Sequence, residues 1–198
     1  FMHFFSLLLF ESFSLLKATL CVVLNAVSLK NAVLSPEELM TCLHLLSCPN
    51  KNCVAKLIKC IQFCITTFPN IYTAGILRKS IKNLISENEI PLLLIRLVIL
   101  FLQKSPGDQG YVVSVLEHVV KRLKTTDVLH LDGITRCIFM INTQQSLAML
   151  LTLPRGYITS RVLCVSFYNK TLRNWIAAGD SIVDAENFEW LKKEIYQM

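Results

Sequence analysis

Apolar residues recur along this chain at intervals of three and four, most densely between Ile90 and Ile141. Leu92, Ile95, Val98, Ile99 and Leu102 fall at helical spacing in a first run, and Val112, Leu116, Val119, Val120 and Leu123 in a second. Breaks at Lys104-Ser105-Pro106-Gly107 and Asp132-Gly133 punctuate them. Such a unit cannot bury its apolar faces alone, so helices on both sides must cover it.

The rest of the chain repeats the pattern. Ser35-Pro36-Glu37-Glu38 reads as a helix start, with Ser35 capping, Pro36 in the first helical position and Glu38 closing a capping box. Asn50 or Asn52 opens a helix with Val54, Leu57, Ile58, Ile61 and Ile65 inward, ended by Pro69. The next turns Ala74, Leu77, Ile81 and Leu84 inward and Arg78, Lys79 and Lys82 outward. Asn88 to Pro91 starts another. Gly110 precedes a helix over 111–124, where Glu117 and Lys121 form an exposed i,i+4 pair. Asp132 caps Ile134–Ile141, Thr143 caps Gln144–Leu151, and Pro154 opens Arg155–Phe167. Asn169 caps the helix that Gly179 ends, and a last helix covers Ser181–Tyr196. The Val and Ile runs keep the helical period rather than alternating. The expected fold is all-α: an irregular HEAT-like helical-repeat solenoid of about ten short helices, in a single domain over residues 1–198.

Composition narrows the setting. The chain is 53% hydrophobic and 17% charged, against a usual charged share of about 25%, so much of its surface is expected against a partner or in a membrane. Residues 3–30 are the best membrane candidate. Glu11 and Lys17 would sit near the centre of any spanning window, each at a cost of about 2.5–3.5 kcal/mol. Two packed helices fit better, and no membrane is expected. The chain opens at Phe1 with Met2 behind it, as a fragment or a processed or engineered start would, and it lacks the basic leader of a signal peptide. The net charge of +6 is spread over Lys51, Lys56 and Lys59, then Arg78, Lys79 and Lys82, then Lys121, Arg122 and Lys124. Solvated helix faces account for these groups better than a nucleic-acid footprint, since no aromatics interleave them.

Catalytic signatures are missing. No phosphate loop, dinucleotide fingerprint, nucleophile elbow or zinc-protease motif occurs. Most of the eight cysteines lie in apolar runs, as small hydrophobes in a reduced, intracellular chain. Cys42, His44, Cys48 and Cys53 cluster, but the Cys42-x-His44 spacing is too tight for a tetrahedral site, and neither metal nor cofactor is expected. A Cys137–His130 nucleophile pair has nothing to orient or expose it. Arg96, inside LLLIRLVIL, is the most informative single residue. It either snorkels at the edge of the apolar face or is buried against a carboxylate such as Asp132 or Glu117, or against helix-end carbonyls.

The order IPLLLIRLVILFLQKSP, GYVVSVLEHVVKR, DGITRCIFMINTQQSLAMLLTLPRGYITSRVL resembles the C-terminal domain of symplekin and its yeast counterparts. The likeness rests on the apolar helix with an internal Arg (Arg96), the Val112–Leu116 helix, the helix carrying Cys137 and the Gln145–Leu151 segment closing on Leu153-Pro154. It runs from Ile90 through Leu172; upstream, only the helical character is shared. The family's tryptophan-containing stretch is LKTTDVLHLDG here, without Trp. The resemblance implies the C-terminal domain of a longer, nuclear, non-enzymatic scaffold. Its partners would be the C-terminal regions of the metallo-β-lactamase endonuclease of pre-mRNA 3′-end processing and of its inactive paralogue. Partner-contact candidates are Phe4, Phe5, Tyr111, Lys121, Arg122, Arg155, Arg161 and Arg173; Arg96, Asp132 and Pro154 are expected to be structural. The alternative is a module that binds RNA directly through its basic helix faces.

Overall fold

The computed structural model describes residues 13–27, 34–48, 50–124, 127–179 and 185–197. Among them are eleven α-helical segments and no strand. The chain divides into two compact units, Phe1–Ser105 and Pro106–Met198. The Phe-rich start, with Phe4 and Phe5, lies outside the described residues, as do Thr126 and Ser181.

The first unit holds α1 (Phe13–Val27), α2 (Pro36–Leu45), α3 (Lys51–Thr67), α4 (Ala74–Ile85) and α5 (Leu94–Lys104). Helix α1 packs on α3, and α2 on α4, which in turn packs on α5. Contact between elements two apart is how stacked helical repeats bury their faces. Helix starts follow local chemistry. Ser35 and Glu38 form the expected capping box at α2 behind Pro36. Asn50 accepts from the Cys53 amide at 2.9 Å to open α3, and Thr73 caps α4. Cys53, Cys60 and Cys64 join Leu57, Ile61 and Ile65 on the buried face of α3, with every cysteine a free thiol.

Helix α5 corrects the predicted face. Leu92 precedes the helix and is exposed, and Ile99 is half-buried; Leu94, Leu97 and Phe101 enter the core beside Ile95, Val98 and Leu102. The outward ridge is Arg96, Ile99, Leu100 and Gln103. Burying a whole guanidinium costs several kcal/mol, and half-buried Arg96 stands at the edge of the buried face. At its far end Lys104 donates to the carbonyls of Pro69 and Tyr72, tying α5 to the turn between α3 and α4.

The second unit holds α6 (Gln109–Val120), α7 (Val128–Ile141), α8 (Gln144–Leu150), α9 (Arg155–Tyr157), α10 (Ser166–Ala178) and α11 (Ala185–Gln197). Helix α6 packs on α7 and α8, α8 on α7 and α10, and α10 on α11. Three expectations are corrected. Helix α7 begins at Val128 behind Asp127, so Asp132 and Gly133 lie inside it and Asp132 is not its cap. The Gly133 penalty of about 1 kcal/mol is outweighed by burial of Leu131, Ile134, Cys137 and Ile138 on either side. Residues 155–167 are not one helix: α9 passes into a π-turn over Ile158–Val162 and breaks before Ser166. Thr159 and Ser160 hydroxyls donate back to the Arg155 and Gly156 carbonyls there, a pairing that bends helices. Asn169 lies inside α10, where its amide donates to the Leu163 carbonyl at 3.3 Å. Asn142, at φ 52°, ends α7 in the left-handed region that Asn tolerates.

Candidate functional site

Helix α6 carries three kinds of surface. Val112, Val113, Val115, Leu116 and Val119 are buried. Tyr111 and His118 fall on one outer ridge, which Arg122 continues past the helix end, while Gly110, Glu117 and Val120 form another, which Lys121 continues. The second ridge faces α8, whose Gln145, Ala148, Met149 and Thr152 stand at matching helical spacing.

Between these ridges runs a groove. One cavity of about 420 Å³ is lined by Glu117, Val120 and Lys121 from α6 and by Gln145, Ala148, Met149 and Thr152 from α8 and its end. A neighbouring cavity of about 550 Å³ shares Gln145 and continues past Gln109, Gly110 and Val113 to Thr143. The floor is apolar, built by Val120, Ala148 and Met149. Thr143 and Ser146 hold the start of α8 in a reciprocal cap, and the buried Ser146 hydroxyl reaches back to the α7 carbonyl of Ile138 at 3.2 Å. One wall is therefore anchored to the core.

The groove's charges are unpaired. Glu117 and Lys121 are both exposed, yet the expected i,i+4 ion pair does not form, and neither has another ion-pair partner among the described residues. Lys121 sits where α6 ends and the chain turns away.

The other candidates fall elsewhere. Arg155 donates to Glu186 at 3.3 Å and Asn187 at 2.9 Å, with its guanidinium 5.1 Å from the Trp190 ring centre. Arg173 donates to Asn169 and to the Ile195 carbonyl, each at 2.7 Å, and lies 5.3 Å from the Tyr196 ring centre. These two arginines fasten α11 at its two ends. Arg161 is exposed on the π-turn. Pro154 precedes α9, and its carbonyl accepts from the Tyr157 and Ile158 amides. Asp132 accepts from the Tyr157 hydroxyl at 2.9 Å, and that hydroxyl also meets Thr135 at 3.1 Å. Burial pushes the Tyr157 phenol above its ordinary range. Arg96 is half-buried: its Nε is shut away without a partner, while Nη2 donates to the Gln62 side chain of α3 at 3.3 Å, so the head snorkels past the apolar face rather than pairing with a carboxylate.

The sulfur and imidazole groups behave as core. Burial raises the Cys137 thiol to about 12, so it is no thiolate at neutral pH. His130 lies seven residues away on α7, about 10 Å along the axis, with its Nδ1 at ion-pair distance, 2.8 Å, from Asp127 but poorly aligned for a hydrogen bond. His44 is buried in α2, donates from Nδ1 to the Met40 carbonyl at 2.8 Å, and is held down to about 4 by burial. Burial also raises the Cys42 and Cys48 thiols.

The groove residues Val120, Gln145, Ala148, Met149 and Thr152 are not among the sequence candidates. The signal that could have found them is a small residue, Ala148, on an otherwise bulky ridge of α8. Comparison with known families matches residues 2–162 to the family described as Symplekin tight junction protein C terminal. The match begins far upstream of Ile90 and closes with the π-turn. No curated protein and no solved structure matches the chain.

Proposed function

The chain belongs to the symplekin C-terminal family, and from that premise we propose that it is a non-enzymatic, nuclear scaffold module of pre-mRNA 3′-end processing. Its partners are the C-terminal regions of the metallo-β-lactamase endonuclease and of its inactive paralogue. The observation that carries the assignment of a surface is the α6–α8 groove, with its apolar floor and unpaired rim charges. A few anchors in such a floor provide most of the energy of an interface. Ala148→Trp would fill the groove from an already half-exposed position. In a pull-down with the endonuclease C-terminal region, Ala148→Trp should weaken capture about tenfold or more, a change of about 1.4 kcal/mol or more. Unchanged capture by a folded variant refutes the groove.

One observation favours a second reading, direct RNA contact by the first unit. Between Glu38 and Glu87 the chain has no acidic residue, while Lys51, Lys56, Lys59, Arg78, Lys79 and Lys82 all lie there. Lys79 does reach back to Glu37 at 3.5 Å. Phosphate contacts make affinity fall steeply with salt. RNA binding that is absent, or indifferent to salt, removes this reading.

A further inference from the structure

Ser166, Asn169, Lys170 and Arg173 line, together with Leu163, a cavity of about 400 Å³. On α10 the four stand at i, i+3, i+4 and i+7, so one face of a single helix supplies nearly the whole lining. The cavity lies beyond residue 162, where the family match closes. It shares no residue with the α6–α8 groove, so it stands or falls independently of the proposed function.

Its polar groups are unevenly used. The Leu163 carbonyl accepts from the Asn169 amide at 3.3 Å, and the Asn169 Oδ1 accepts from Nε of Arg173 at 2.7 Å. Nη2 of Arg173 donates to the Ile195 carbonyl at 2.7 Å. These bonds fix the guanidinium in place and still leave three of its five N–H donors over. The lining contains no carboxylate. Arg173, half-buried, meets only neutral acceptors, and exposed Lys170 has no ion-pair partner among the described residues. Two like charges three residues apart on one helix repel, and a half-buried one is harder to leave uncompensated than one in water. The face therefore holds two uncompensated cations, surplus donors and a Ser166 hydroxyl one turn from Lys170.

Charge selects the ligand. A carboxylate, or one phosphodiester of a nucleic acid, brings a single negative charge and leaves one cation unmatched. A phosphate monoester carries about −1.5 to −2 near neutral pH and has three strong acceptor oxygens. The cavity falls in the size range of small-ligand sites, which leaves room for whatever carries the phosphate. We propose that this face of α10 binds a phosphate monoester dianion between Lys170 and Arg173, with the Ser166 hydroxyl as a further donor.

The test follows amide chemical shifts of the full chain in chloride buffer at about pH 7.5, where the phosphate is mostly dianionic, at constant ionic strength. The titrants are inorganic phosphate, acetate, a neutral peptide with one phosphoserine, and a short uridine oligonucleotide. Inorganic phosphate should give saturable shifts centred on residues 163–173, with acetate at least about tenfold weaker. Lys170→Ala alters an exposed position and should weaken phosphate about tenfold, the loss of one charged hydrogen bond; Lys170→Arg should retain it. A phosphoserine peptide that binds more tightly than free phosphate places the phosphate on a polypeptide, and one that binds no more tightly points to a small free phosphate; both support the site. No saturable shifts, acetate equal to phosphate, oligonucleotide binding tighter than phosphate at these residues, or unchanged affinity in Lys170→Ala overturns it.

Discussion

At the scale of single residues, burial decides which groups titrate and which only pack. His44 is the clearest case. Its neutral ring is buried, with one nitrogen donating to the Met40 carbonyl. Burial lowers its pKa from an ordinary 6.5 to about 4. The unfolded chain therefore takes up the proton first. The stability linked to His44 is fully present above about pH 6.5, is lost as the pH falls through that window, and bottoms out below about 4. The full loss is about 3 kcal/mol. Urea melts of wild type and His44→Leu between pH 7 and 4 isolate this contribution, because other titrating groups cancel in the difference; a flat difference curve contradicts it. Arg96 shows the same logic with a charge that cannot be given up. Its guanidinium reaches Gln62 with one nitrogen while Nε stays buried, so Arg96 stands at the edge of the buried stripe of α5, and Leu94, Leu97 and Phe101 rather than Leu92 and Ile99 fill that stripe.

At the scale of elements, helix starts are legible where the contact is local. Ser35 and Glu38 are three residues apart, as are Thr143 and Ser146, so a sequence window contains the whole motif. Asp132 misleads because its partner, Tyr157, lies 25 residues on, and within a local window an Asp-Gly pair looks like a helix boundary. Asn169 misleads for a different reason: its partners are local, but its side chain serves Arg173 and Leu163 rather than the start of a helix. The arginines of α9 and α10 are legible as basic positions but not as fasteners, because the Glu186, Asn187 and Ile195 groups they hold lie 22 to 32 residues away. Their roles differ in strength. Arg155 is half-exposed, and an exposed pair is worth about 0.2–1 kcal/mol. Arg173 makes part-buried bonds, one to a main-chain carbonyl, where a charged donor contributes about 1.5–3 kcal/mol. Amide hydrogen exchange in α11 should therefore quicken more in Arg173→Ala than in Arg155→Ala; equal or reversed effects would contradict that ranking, and no quickening in either variant would show that neither arginine fastens the helix.

At the scale of the whole molecule, the all-helical, repeat-like character is readable from periodicity, whereas the partition at Ser105–Pro106 is not. The Ile90–Ile141 block reads as one apolar unit in sequence, but its first helix belongs to one compact unit and the rest to the other. Local periodicity reports that a face is buried without naming what buries it. The groove lies wholly within the second unit, so a fragment of residues 106–198 should retain endonuclease capture and its sensitivity to Ala148→Trp; a folded fragment without capture would mean that the first unit supplies contacts too. The free cysteines give each unit its own chemical clock. Cys53, Cys60 and Cys64 are shut inside the first unit and Cys137 inside the second, while Cys164 stands open. Burial raises the thiols of Cys60, Cys64 and Cys137 to about 12, so alkylating reagents reach them through opening of the surrounding helices. Cys164 marks the reagent's arrival, and the lag of the buried thiols behind it times the opening of each half separately, without a mutation or an added probe.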